Sequence, residues 1–225
     1  MLVELSELLA VERGITALIG SGGKTTALYL LAEELVRKGT VLCAASTHIL
    51  PPSHLPVLVD PAPAALAAAL AEHRMVCAGS AAPEGKLTAP PLPWETLAAL
   101  ADYVLVEADG ARRLPCKAHL PHEPVIPPGT AGTLLLVGAS GLGRPVQEAA
   151  HRPEVFCRLS GLRPEDLITP EALAAVIRAE ALGDRVLVNQ AEEPAVLAQV
   201  QTLAALLPVP VYAGSLRKRS VVCLS

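Results

Sequence analysis

The stretch Gly20-Ser21-Gly22-Gly23-Lys24-Thr25-Thr26 limits what this 225-residue chain can fold into more than any other. An apolar run, 15–19, leads into it, and over 25–37 Leu28, Leu31, Ala32 and Leu35 recur at three- to four-residue intervals. The run reads as a buried strand and the repeat as a helix stopped at Gly39. A second apolar run, 40–45, then reads as another strand. Strand, glycine turn, helix and strand make one βαβ unit, which requires a parallel sheet covered by helices. The turn gathers backbone N–H groups at a helix start, where they bind phosphate. Gly20, Ser21, Gly22, Gly23, Lys24, Thr25 and Thr26 are therefore the expected nucleotide-binding residues. Lys24 carries the charge for the β/γ-phosphates and is the first candidate catalytic residue, and Thr25 supplies a hydroxyl to Mg²⁺.

The rhythm continues along the chain. Residues 75–77, 103–107, 133–137, 185–189 and 209–213 read as short strands, and 3–11, 64–72, 94–101, 153–159, 170–179 and 193–207 as helices. The 21 prolines fall mainly between these elements, where they punctuate loops. The expected fold class is α/β, a three-layer P-loop NTPase-like domain with a mainly parallel β-sheet flanked by helices. It spans 1–225 as one domain, with 138–182 breaking the strand rhythm as a small helical insertion. A 52% hydrophobic content supports a core and argues against disorder. A formal charge of −4 and 2% aromatics disfavour nucleic acid as a partner, since both a basic face and stacking platforms are missing. Cys43, Cys77, Cys116, Cys157 and Cys223 are scattered without a CxxC pair, which suits a reducing compartment. Acidic residues near the N-terminus and the lack of a 20-residue apolar run predict a cytoplasmic protein without a membrane span.

Mg²⁺ needs a carboxylate beside the hydroxyl. The strand 103–107 delivers Glu107, then Asp109 and Gly110, to the sheet edge where open α/β sheets bind ligands. Glu107 is the expected metal ligand, and Asp109 is expected to orient a water or relay a proton. Glu107-Ala108-Asp109-Gly110 resembles the E-x-x-G element of metallochaperone GTPases, which implies that the Gly110 amide faces the γ-phosphate. The compact Gly-x-x-Gly-Lys-Thr-Thr loop resembles that of Mur-type ligases. Asn189-Gln190-Ala191-Glu192 resembles the N-K-x-D element of GTPases, which implies a base-reading role for Asn189 and Glu192. The alternative is a plain helix start with acids complementing its dipole.

Two loops are candidates for a second substrate. Ser46, Thr47 and His48 emerge beside the phosphate loop, suited to γ-phosphate contacts or to ordinary strand-end capping. Residues 111–124 form a long charged loop in which Arg112 and Lys117 can neutralise an anion, with His122 and Glu123 beside them. Cys116, His119 and His122 also have a spacing that a soft metal can use; solvated loop side chains are the alternative.

Several motifs taken together resemble one family. They are Leu5-Ser6-Glu7-Leu8-Leu9, the phosphate loop, Ser46-Thr47-His48-Ile49 with Pro51, Glu107-Ala108-Asp109-Gly110, the run His122 to Pro127, and His151-Arg152-Pro153-Glu154. The combination is similar to the selenium-dependent hydroxylase accessory proteins, the YqeC family. This chain differs from that pattern at 44–46, where the family tends to threonines, and at Gln190 and Glu192, where Lys and Asp are common. The resemblance implies an NTP-dependent accessory step, with Mg²⁺ and ATP or GTP, in maturing a selenium-dependent molybdenum hydroxylase or its molybdenum cofactor. Such a hydroxylase or a cofactor-maturation protein is then the expected partner. A small-molecule kinase or Mur-like ligase, and a nucleotide-gated binding protein with no appreciable turnover, are the other readings the motifs allow.

Overall fold

In the computed structural model, residues 3–225 are described. Chain order is α1 (Leu5–Leu8), β1 (Gly14–Gly20), α2 (Lys24–Leu35), β2 (Val41–Ala45), β3 (Val57–Val59), α3 (Pro63–His73), β4 (Met75–Ala81), β5 (Leu87–Thr88) and α4 (Trp94–Leu100). There follow β6 (Tyr103–Glu107), β7 (Cys116–Lys117), β8 (Thr130–Gly138), α5 (Val146–Ala149), β9 (Ala150–His151), α6 (Pro153–Ser160) and α7 (Pro170–Glu180). The chain ends with β10 (Arg185–Asn189), α8 (Pro194–Ala205), β11 (Val211–Ser215) and β12 (Ser220–Cys223).

Strands buried on both faces belong inside a parallel sheet, and β1, β2 and β6 sit there. The sheet order is β12-β11-β10-β8-β1-β6-β2-β4-β3, with β5 added alongside β4. Its pairings are parallel except β11 with β12 and β4 with β5. After β1 the chain crosses to β2 on one side of it, while β8 lies on the other. That reversal opens a crevice at the carboxyl ends of β1 and its neighbours, the position where doubly wound sheets bind ligands.

Side chains alternate between faces along each strand. Ala17 and Ile19 of β1 join Val186 and Val188 of β10 against α5, α6, α7 and α8, with Phe156 fully buried among them. Ile15 of β1, on the same face, joins Leu42, Val104 and Val106 against Leu66 and Leu70 of α3 and Leu97 of α4. Leu18, Cys43, Leu105 and Leu187 face the other way, onto α1 and α2. Helices therefore cover both sides of the sheet in three layers. α1 is only four residues long, and the Glu34 carboxylate of α2 holds its first amides, Leu5 N at 3.1 Å and Ser6 N at 2.7 Å.

The segment between β8 and β10 contributes Val146, Val155, Phe156 and Leu173 to the same cluster as the sheet residues Ile19 and Val186. It also carries β9, which pairs in parallel with β7 in a separate two-stranded ribbon. Periodicity did not reveal β3, β5, β7, β9 or β12, because two to four residues hold no period and each depends on a partner distant in sequence. Among the described residues no helix is long and apolar enough to cross a membrane.

Candidate functional site

Two glycines of the loop at 20–26 are required by backbone geometry. Gly22 has φ +80° and Gly23 φ +140°. A Cβ on Gly22 would fall 2.1 Å from Gly138 N, and one on Gly23 would fall 2.6 Å from Asn189 Nδ2. The loop is fastened below by Ser21 N donating to Leu136 O at 2.8 Å and by Ser21 Oγ donating to Leu114 O. Above that fastening, the amides of residues 22–26 have no hydrogen-bond partner among the described residues. Gly23 caps α2 with no side-chain bond, so the helix start keeps its free donors. Lys24 is 5% exposed and donates from Nζ to Gly20 O at 2.6 Å.

The register places the acids around that lysine. β6 lies between β1 and β2, with Glu107 opposite Leu18 on one side and Ala45 on the other. Thr25 Oγ1 donates to Glu107 Oε2 at 2.8 Å, and Lys24 Nζ lies 4.0 Å from Glu107 Oε1. Burial raises the Glu107 pKa, with Asp109 nearby adding to it, against the opposing pull of Lys24 and Thr25. Ser46 Oγ and Thr47 Oγ1, just after β2, are buried without partners, and Ser46 N donates to Glu107 O at 3.1 Å. The Thr25 hydroxyl and the Glu107 carboxylate are hard oxygen donors of the kind a cation such as Mg²⁺ takes.

Asp109 is engaged differently. Its Oδ2 accepts from Gly20 N at 2.9 Å, faces His119 Nε2 at 2.8 Å and lies 3.2 Å from Lys117 Nζ, while Lys24 Nζ sits 3.0 Å from Oδ1. Burial pushes its pKa up, but the bond from His119 and the charges of Lys24 and Lys117 outweigh it and hold the carboxyl at about 2. These contacts tie Asp109 to Gly20 and Lys24 of the loop and to Lys117 and His119 on its other side. His119 continues the chain of contacts: its Nδ1 lies 2.8 Å from Glu180 Oε2, and its backbone N donates to Glu180 Oε1 at 2.6 Å. Burial works against its charge, but the bonds to Asp109 and Glu180 win and raise its pKa. Sequence reasoning missed Glu180 and the tie from His119 to Asp109. No local signal marks them, since Glu180 lies at the far end of α7.

The remaining candidates divide by position. Asn189 is buried at the end of β10, where Nδ2 donates to Gly22 O at 2.8 Å. Glu192 lies on the exposed rim, 3.8 Å from Lys218 Nζ, with its pKa lowered first by a bond from Ser215. Gly110 is exposed, with open space around it, and Thr25 and Thr26 are exposed at the loop mouth. Lys117 is buried and donates to Gly110 O at 2.6 Å, while Glu123 joins Lys117 at 3.2 Å and Arg152 at 2.6 Å. His48, Arg112 and His122 are exposed. Cys116, His119 and His122 do not assemble: among the described residues no group of three or more His, Cys, Asp or Glu is placed to hold a metal ion. Cys116 is buried against Gly138 O, which pushes its thiol up to about 12, and His119 is taken by the two acids.

Two comparisons bear on this chain. The family profile described as YqeC protein matches residues 16–154, which include the phosphate loop, both acids and the Lys117–Glu123 loop. The chain is also 36% identical over 174 residues to YqeC of Escherichia coli (strain K12), an uncharacterized protein, with 73% of this chain and 67% of that one covered.

Proposed function

This chain belongs to the YqeC family, and we propose that it binds a nucleoside triphosphate with Mg²⁺ at residues 20–26 and hydrolyses it or transfers its phosphoryl group. The observation that carries this reading is the row of unpartnered amides at 22–26 at the start of α2, beside the Lys24 ammonium. Such donors are a ready site for phosphate charge and do not reorganise when it arrives.

The residues divide the work. The loop amides and Lys24 take the β- and γ-phosphates, and Asp109 holds Lys24 in position. Thr25 and Glu107 would hold Mg²⁺, which neutralises the charge that develops on the phosphate oxygens. Ser46 and Thr47, whose hydroxyls are buried without a partner in the protein, are the candidate contacts to the γ-phosphate or a water beside it. Asn189, bonded to Gly22 O, and Glu192, three residues on, are the candidate contacts to the base, with guanine favoured over adenine because a carboxylate accepts from guanine N1–H. The biological role we propose is that of an accessory factor acting on a selenium-dependent molybdenum hydroxylase or its molybdenum cofactor, as the motif resemblance implies. A second reading, phosphoryl transfer to a small molecule as in a kinase or ligase, draws on the exposed Arg112 and buried Lys117 beside Gly110.

Calorimetry with Mg·ATP and Mg·GTP, followed by phosphate release with and without a molybdenum hydroxylase, tests this. No binding of either nucleotide overturns the reading. Binding without turnover in either condition, with partner affinity that depends on the nucleotide, replaces it with a nucleotide-gated binder.

A further inference from the structure

A group of basic side chains lies beside the phosphate loop, outside the Thr25–Glu107 pair. The parallel pairing of β7 and β9 sets Lys117 opposite His151, and Arg152 follows as the residue before α6. Lys117 is buried, with Nζ 2.6 Å from Gly110 O and 3.2 Å from both Asp109 Oδ2 and Glu123 Oε2. Arg152 donates from Nη2 to Glu123 Oε1 at 2.6 Å, while its Nε is buried with no partner. One carboxylate thus serves two cations. His151 is 7% exposed, and its ring makes no hydrogen bond among the described residues. Arg112 is exposed and has no acidic partner within ion-pair distance among the described residues.

The backbone here is held in an unusual conformation. Arg112, Arg113 and Arg152 have φ of +47°, +61° and +65°, the left-handed region that side chains other than glycine rarely adopt. Burial first, then Lys117, Arg152 and Arg112, depress the His151 pKa and favour its neutral ring. Asp109 is shared among Lys24, Lys117 and His119, and Glu123 between Lys117 and Arg152, so the cations here outnumber the carboxylates paired with them.

We infer that Arg112, His151 and Arg152 form, around the Lys117–Glu123 pair, a seat for the carboxylate or phosphate group of a small second substrate. Guanidinium forks suit both groups, and the unbonded imidazole adds a neutral polar contact. The seat is linked to the phosphate loop through Lys117, Asp109 and Lys24. Its role in phosphoryl transfer rests on the phosphate-loop reading, whereas its capacity for an oxyanion does not.

The test follows the imidazole NMR signals of His151, assigned with His151→Asn, while inorganic phosphate and, separately, succinate are titrated without nucleotide. Saturable shifts are expected in wild type and in Lys24→Ala, and a response to only one anion identifies the group recognised. Arg112→Gln and Arg152→Gln should each weaken the response about 10-fold, the effect of losing a charge-assisted bond. Glu123→Gln removes the competing carboxylate and should strengthen it. If circular dichroism shows that Arg152→Gln is unfolded, the exposed Arg112→Gln carries the test. The inference is overturned if neither anion moves His151, or if Lys24→Ala abolishes the shifts while both arginine variants keep them. Failure of the protein to bind nucleotide would overturn the phosphate-loop reading and leave this titration standing.

Discussion

Asn189 Nδ2 donates to the Gly22 carbonyl at 2.8 Å while its Oδ1 accepts from Leu216 N at 3.0 Å, so one buried side chain clamps the phosphate loop to the turn after β11. Removing it leaves a half-buried carbonyl and a buried amide unpaired, the amide at a cost of about 1–3 kcal/mol. Asn189→Ala is expected to lower the unfolding midpoint and to weaken nucleotide binding together. Thermal unfolding and calorimetry on one preparation check this. Unchanged nucleotide affinity in a destabilised variant would show that the clamp serves the fold alone.

Lys24→Ala should weaken Mg·nucleotide binding by 1.5–3 kcal/mol, or about 10- to 150-fold, because it removes a charge-assisted phosphate contact. It also frees Asp109 Oδ1, now 3.0 Å from Nζ. Equal titration curves for variant and wild type would remove the phosphate-loop assignment.

Glu107→Gln keeps the shape of the site and should keep the bond from Thr25, now 2.8 Å, while deleting the charge. Nucleotide affinity in excess Mg²⁺ should fall, and affinity measured in a chelator should stay near that of wild type. A loss of the same size in both conditions would assign Glu107 to loop structure in place of metal binding.

His119 gives stability a pH dependence. Its folded pKa lies above the ordinary 6.5, since the bonds to Asp109 and Glu180 overcome burial. The contribution is therefore complete below the unfolded value and disappears as pH rises through the folded one. The stability difference between wild type and His119→Gln should be larger at about pH 6 than at about pH 9. Denaturant titrations at the two values decide it, and a difference that grows with pH would show that the histidine is held neutral.

Phe156 of α6 is fully buried in the cluster that also contains Ile19 and Val186 of the sheet. Phe156→Ala should cost about 3–5 kcal/mol and lower one shared unfolding transition. Two separate transitions in calorimetry, with only one of them moved, would mark 138–182 as an independent unit.

Short-range patterns in the sequence were sufficient for the glycine turn between β1 and α2, the α/β class and most strands and helices. The glycines at 20, 22 and 23, the leucine spacing of α2 and the apolar run of β6 each act within one turn or one strand, so a window of residues contains the cause. The same locality placed Glu107 and Asp109 at a strand end. Which groups Asp109 touches there was decided by the tertiary structure alone. Gly20 and Lys24 meet it because β6 inserts between β1 and β2, and Glu180 completes the chain through His119 from the far end of α7. Likewise, the register of β7 on β9 brings Lys117 to His151. Charge–charge contacts and orphaned hydrogen bonds depend on distances of a few ångströms, and those distances exist only once the sheet order is set by packing across the whole chain.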